Sequence, residues 1–376
     1  MIERRIEKNL MKVVTQSPAT SVKPQIAEPK SRVFVWLKRI VLWLIIGIIA
    51  LAAIGAAYQA IATAMGKRAY PPQGELVDMG GYNLHIYCMG EGSPTVILET
   101  GLGTMLADWA NVQPEVASTT RICAYDRAGV GWSDPGLQPR DPQQIAQELH
   151  TLLDKANIPG PYVLVGQSFG GLYVRMYAAQ YPEDVAGMVL VDASHPDMWS
   201  RFPPEVSTAL SGNEQQASLL ILLSRLGLFR LTAGDYFVDC GLPPEQCAQE
   251  RAFALSTQRM AVWAAEMYAP ERDAQVRATG SLGTMPLIVL TAGDHSRDFA
   301  ASLPSEIRTP ETLRQFEQIW QELQSELAAL STNSNHRLVD GAGHSSFQFD
   351  PAYTPITDAA ILQVIEAIRT GEPLNP

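Results

Sequence analysis

The chain has 376 residues, 46% of them apolar, a formal charge of −11 and four cysteines. That length is ample for a full hydrophobic core, and the acidic balance argues against nucleic acid as a partner. The charge is unevenly placed: residues 1–39 carry nine Lys or Arg against three Asp or Glu, and residues 63–376 carry 19 against 36.

Residues 1–39 contain Ser17-Pro18, Pro24 and Pro29 and lack apolar periodicity, so they are expected to be a disordered tail that rests on anionic lipid. No charged residue occurs from Ile40 to Gly66, and Ile40 to Tyr58 is almost wholly apolar. Nineteen residues at 1.5 Å each give roughly 28 Å, enough to cross a hydrocarbon core. One transmembrane helix is therefore expected over 40–62; a core helix would show polar residues on a solvent face. Ala62-Thr63-Ala64 resembles a signal-peptide cleavage site, but the long apolar run and the residues before it exceed an ordinary signal sequence, which favours an uncleaved anchor. Lys23, Lys30, Arg32, Lys38 and Arg39 precede the run, against Lys67 and Arg68 after it. The positive-inside rule then leaves the N-terminus in the cytoplasm and the rest of the chain in the periplasm or outside the cell.

After the anchor, apolar runs at 84–87, 94–99, 121–125, 162–165, 188–191, 286–292 and 336–340 read as strands. Between the last two lies a Glu- and Gln-rich helix over 310–330, and a closing helix is expected over 356–369. Residues 193–280 do not alternate strand with helix; stretches 215–229 and 250–267 read as helices of an insertion. No internal repeat is seen.

The run at 162–165 leads into Gly166-Gln167-Ser168-Phe169-Gly170, a G-x-S-x-G motif. Its glycines flank a serine where a strand turns sharply into a helix, and the turn lifts the hydroxyl into the open. Downstream, the strand at 336–340 is followed by Gly341-Ala342-Gly343-His344. A serine hydroxyl needs a base within hydrogen-bond reach, and an imidazole suits that task near neutral pH. His344 is the candidate. His85, His150, His195, His295 and His336 lack a glycine-flanked turn after a strand and read as packed or exposed side chains. No pair of His or Cys near the motif has zinc-ligand spacing.

With the loop Asp126-Arg127-Ala128-Gly129-Val130-Gly131-Trp132-Ser133-Asp134, these motifs make residues 74–376 resemble an α/β-hydrolase fold enzyme. The similarity is to the branch of esterases, proline iminopeptidase-like enzymes and cofactor-free haloperoxidases. It implies a mostly parallel central sheet with flanking helices and a helical cap over 193–280. It also implies a Ser-His-Asp triad of Ser168, His344 and an acid after the seventh strand, Asp294, with Asp192 and Asp298 as alternatives. The oxyanion would be bound by the N–H groups of Phe169 and Leu102; a one-residue slip would substitute Gly101 or Gly103. Serine at 168 sets the chain apart from dehalogenases and epoxide hydrolases of this fold, which form their ester on an aspartate.

The resemblance further makes the strands of Cys88 and Cys123 neighbours in the sheet. With Cys240 and Cys247 bracketing a short loop, the alternatives are two disulfides, suited to an oxidising compartment, or four reduced thiols. The cap leucines near 219–229 are candidates to line an acyl pocket, and Glu205, Glu245, Glu250 and Glu266 are the acids available to hold an amino terminus. The resulting expectation is a membrane-anchored serine hydrolase acting on a small-molecule carboxylic ester. The other readings are an aminopeptidase or amidase, a cofactor-free perhydrolase or lyase, and a non-catalytic binding scaffold. No dissociable cofactor and no nucleic acid are implied; the bilayer is the second partner.

Overall fold

The strands form one eight-stranded sheet. They are β1 Glu75–Asp78, β2 Asn83–Met89, β3 Thr95–Glu99, β4 Ile122–Asp126, β5 Tyr162–Gln167, β6 Val185–Val191, β7 Leu287–Ala292 and β8 Ser334–Val339, in the spatial order β1-β2-β4-β3-β5-β6-β7-β8. This computed structural model describes residues 32–232 and 240–374. β1 and β2 run antiparallel, β2 meets β4 antiparallel, and every pairing from β4 to β8 is parallel. β3 through β7 are buried along nearly their whole length, as expected of a parallel sheet covered on both faces, and that is why they read as unbroken apolar runs.

The pleat divides each strand between two cores. In β5, Leu164 points to a core that includes Leu149, Leu172, Tyr173 and Trp320, while Val163 and Val165 point to one with Trp109, Phe347, Ile361 and Val364. Helix Pro142–Lys155 starts on Asp141, whose side chain accepts the Gln144 N–H at 2.9 Å, with Pro142 preset in its first turn. It packs beside helix Gly170–Gln180 on one face, and the closing helix Thr354–Thr370 covers the other.

By contacts the chain divides into Met1–Leu51 and Ala52–Pro376. The N-terminal helix runs from Arg32 to Ala69, longer at both ends than the expected span of 40–62, because nothing from Ile40 to Gly66 breaks it and Lys67 and Arg68 favour its C-terminal end. Its stretch Val33–Ala69 is apolar and long enough to cross a membrane. The expected tail over 1–39 lies outside the described residues up to residue 31, and from Arg32 it is helical.

Between β6 and β7 the cap is built of short helices, among them Met198–Arg201, Pro204–Ser211, Glu214–Arg225, Pro244–Ala254 and Thr257–Met267. The stretch read as one helix over 250–267 breaks at Leu255-Ser256, where the Ser256 side chain accepts the Arg259 N–H at 3.2 Å and starts a new helix. The stretch over 215–229 likewise stops at Arg225, before Gly227 takes a positive φ. Both disulfides form: Cys88 and Cys123 face each other in the β2–β4 register, and Cys240 bridges to Cys247.

Candidate active site

The end of β5 carries Ser168 into the open on a strained turn. Its φ of +54° lies in the left-handed region, which costs a non-glycine residue on the order of 1 kcal/mol and is held here by its neighbours. The Ser168 N–H donates to Val191 O at 3.2 Å, and its carbonyl accepts from Gly171 N at 3.0 Å and Ser194 N at 2.8 Å. The flanking glycines are sterically required. A Cβ at Gly166 would lie 2.7 Å from Gly170 O, and one at Gly170 would lie 2.5 Å from Glu99 O.

His344 is carried to the same cavity by the turn after β8. That cavity has a volume of about 250 Å³ and is lined by Ser168, His344, Leu102 and Phe169 together with apolar groups such as Phe202, Phe316 and Trp320. The imidazole is mostly buried, and its Nδ1 lies 2.6 Å from Asp192 Oδ2. A carboxylate only accepts, so Nδ1 carries the proton in this contact. Nε2 is 3.3 Å from the Gln167 amide nitrogen.

The acid beside His344 is thus Asp192, not Asp294. Asp192 sits at the end of β6, fully buried, with φ +42°. Its Oδ1 accepts from Ala292 N at 2.9 Å and Trp320 Nε1 at 2.8 Å, and its Oδ2 accepts from His344 and from His295 Nε2 at 2.9 Å. Burial alone would raise its pKa, but His295, then His344, outweigh that and hold the carboxyl well below the usual range. Asp294 turns away to the start of the short helical turn His295–Arg297, where it accepts the Ser296 N–H at 3.1 Å. Asp298 accepts the Ser345 N–H at 3.1 Å, steadying the histidine loop from the side.

His295, read from sequence as a loop histidine, belongs to this cluster. Nδ1 faces Glu317 Oε2 at 2.8 Å and Nε2 faces Asp192, so each ring nitrogen meets a carboxylate oxygen and carries a proton. Burial works against the charge, but Asp192 and then Glu317 prevail and push its pKa up to about 10. Asp192, His295 and His344 also bring one potential metal-ligand atom each within 4.8 Å of one another, yet protons occupy the lines between them. A second such group, His195, Asp197 and Glu326, has its acids committed to Arg277 and Arg201.

The loop after β3 holds the candidate oxyanion donors. Among the described residues, neither the Leu102 nor the Phe169 N–H donates to a protein acceptor. The loop is fixed by Arg127, fully buried, which donates to Thr100 O at 2.8 Å and Gly101 O at 2.6 Å. The same guanidinium pairs with Glu99 at 2.6 Å and with Glu266 of the cap at 2.9 Å. Burial disfavours its charge, but Glu266 and Glu99 more than offset this and raise its pKa.

A family model described as the alpha/beta hydrolase fold matches residues 94–221. The chain has the α/β-hydrolase fold. It is 27% identical to the protein YqjL of Bacillus subtilis over 263 residues, covering 70% of this chain and 81% of that one. It is 34% identical over 136 residues to the probable transporter efuK of Hormonema carpetanum, which covers 34% of this chain and only 20% of that protein. Among solved structures, a thermophilic esterase from Thermogutta terrifontis superposes with a TM-score of 0.54 at 18% identity, covering 78% of this chain and 97% of that one; this likeness speaks for the fold.

The fold brings Ser168, His344, Leu102 and Phe169 to one cavity and leaves Asp294 outside it. The cap leucines do not line it either: Leu219 and Leu222 are 54% and 51% exposed, and Met198, Trp199, Phe202 and Leu210 take the place expected of them. Glu250 and Glu266 are buried and paired with Arg259 and Arg127, and among the described residues no acidic side chain lines the cavity. Arg127, His295 and Trp320 carried no sequence signal. Arg127 lies inside the glycine-rich loop already noted, but only the fold shows that its charge is buried.

Proposed function

We propose that this α/β-hydrolase is a membrane-anchored serine hydrolase that cleaves carboxylic esters with an apolar acyl group. The observation that carries this reading is the cavity around Ser168 and His344, whose lining, among the described residues, contains no Asp, Glu, Lys or Arg. An aminopeptidase would need a carboxylate there for the substrate's ammonium group, and Glu266 and Glu250 are already neutralised by arginines.

In the proposed reaction His344 Nε2 exchanges its contact with Gln167 for the Ser168 hydroxyl. Ser168 Oγ attacks the ester carbonyl as Nε2 takes its proton, and Asp192 holds the imidazolium that results. The carbonyl oxygen, now negative, accepts from the Leu102 and Phe169 N–H groups. Collapse expels the alkoxide, which takes the proton from Nε2, and leaves an acyl-serine. A water, deprotonated by His344, then releases the acid and restores the serine.

The N-terminal helix would hold the domain at the membrane, with the N-terminus cytoplasmic; the two disulfides support a periplasmic or extracellular location for the hydrolase. Hydrolysis of p-nitrophenyl esters of increasing acyl length by the full-length protein in detergent tests the reading. Each methylene buried is worth about 0.8 kcal/mol, so kcat/KM should climb about fourfold per carbon until the cavity is full. A flat profile, or a preference for charged acyl groups, would count against an apolar acyl site.

A further inference from the structure

The part of the N-terminal helix that belongs to the second unit has two unlike faces. On one, Gly55, Gln59, Thr63 and Gly66 recur at helical spacing and turn toward the cap. A Cβ at Gly55 would lie 2.3 Å from Leu226 O, and one at Gly66 would lie 3.1 Å from the Ala252 Cβ. Gln59, buried, donates to Leu255 O at 2.8 Å and accepts from Arg230 Nε at 2.9 Å, and Arg230 reaches on to Thr63. On the opposite face Ile54, Ile61 and Met65 are 66%, 61% and 64% exposed. No charge interrupts this apolar face before Lys67. The cap is therefore bonded to the helix along a stretch whose other side has the character of a lipid-facing surface.

The cap's own surface continues that character. Beside the Leu226 contact, Leu219, Leu222 and Leu231 are 54%, 51% and 70% exposed, an apolar face that ordinarily marks an interaction site. Arg225 lies between these leucines in sequence and lines a cleft together with Lys67 of the helix, and cations beside an apolar face suit anionic lipid headgroups. We propose that the leucine face of cap helices Glu214–Arg225 and Leu228–Thr232 lies in the bilayer interface, so that the cap as well as the N-terminal helix contacts lipid. The occupant of this face is the phospholipid bilayer, continuous with the lipid around the helix. The inference rests on the reading of that helix as a membrane anchor.

The cysteines described are all in disulfides, so one introduced thiol can be labelled selectively. Full-length protein carrying Leu222→Cys, Leu231→Cys, Ile45→Cys or Leu338→Cys is labelled with a nitrobenzoxadiazole fluorophore and placed in nanodiscs of equal parts phosphatidylcholine and phosphatidylglycerol, with and without doxyl-labelled lipid. Ile45 reports on the anchor, and Leu338, exposed on β8, is the control away from the cap. The expected result is quenching at 45, 222 and 231 at least about twofold greater than at 338. Quenching at 45 with none above the control at 222 and 231 overturns the cap's lipid contact and leaves the anchor intact. No quenching at 45 overturns the anchor reading and this inference with it.

Discussion

Replacing Asp192 with Asn is the most informative single change in the site, because the structure dictates how the amide must sit. Ala292 N and Trp320 Nε1 both donate to Oδ1, so the amide oxygen must take that position. The NH₂ then occupies the place of Oδ2 and faces His344 Nδ1 and His295 Nε2. A donor there forces His344 to present a lone pair at Nδ1 and to carry its proton on Nε2, the nitrogen that must accept from Ser168. The base is lost while the shape of the site is kept, and the expected fall in kcat is about 10⁴-fold. Asp294→Asn, which disturbs only a cap on Ser296, should stay within about twofold of wild type. The assay is p-nitrophenyl ester hydrolysis, with thermal melts to show that both variants are folded. A folded Asp192→Asn variant that keeps its activity, or an Asp294→Asn variant that loses it, would refute the assignment.

Two further variants probe the buried charges. His295 has a pKa raised from 6.5 to about 10, so its contribution to stability is complete below pH 6.5 and disappears as the pH rises through about 10. That shift corresponds to at most about 5 kcal/mol, counted once because the lowered Asp192 carboxyl describes the same contact. The stability gap between wild type and His295→Gln, measured by denaturant midpoints at pH 6 to 10.5, should therefore close toward the alkaline end; a gap that is constant with pH would contradict a protonated His295. Arg127→Met leaves Glu99 and Glu266 buried without their partner and should cost about 3–5 kcal/mol. It also releases Gly101 O, so kcat in the residual folded enzyme should fall more than KM rises; a change in KM alone would detach Arg127 from the oxyanion loop.

How far the site could be read in advance depended on whether its residues carry a local signature. Ser168 and His344 do, since a tight turn between strand and helix, or after the last strand, demands glycines beside the reactive side chain. The strands of the parallel sheet were legible for a similar reason, their burial on both faces producing unbroken apolar runs. Asp192 and Asp294 carry no such distinction, because both follow an apolar strand. The choice between them is made by Trp320, Ala292 and His295, which reach Asp192 from more than ninety residues away in the chain. In the cap, amphipathic spacing identified helices but not their partners. Leu219 and Leu222 fit a pocket wall or an outer surface equally well until the neighbouring helices are placed.

The measurement that tests the central claim most directly is labelling of the full-length protein with a fluorophosphonate probe, followed by mass spectrometry of the modified peptide. An activated serine in an apolar cavity predicts stoichiometric modification of Ser168, none in Ser168→Ala, and labelling slowed by orders of magnitude in His344→Ala. Correctly folded wild type that remains unlabelled, or that is labelled at another residue, would contradict the hydrolase mechanism proposed for this site.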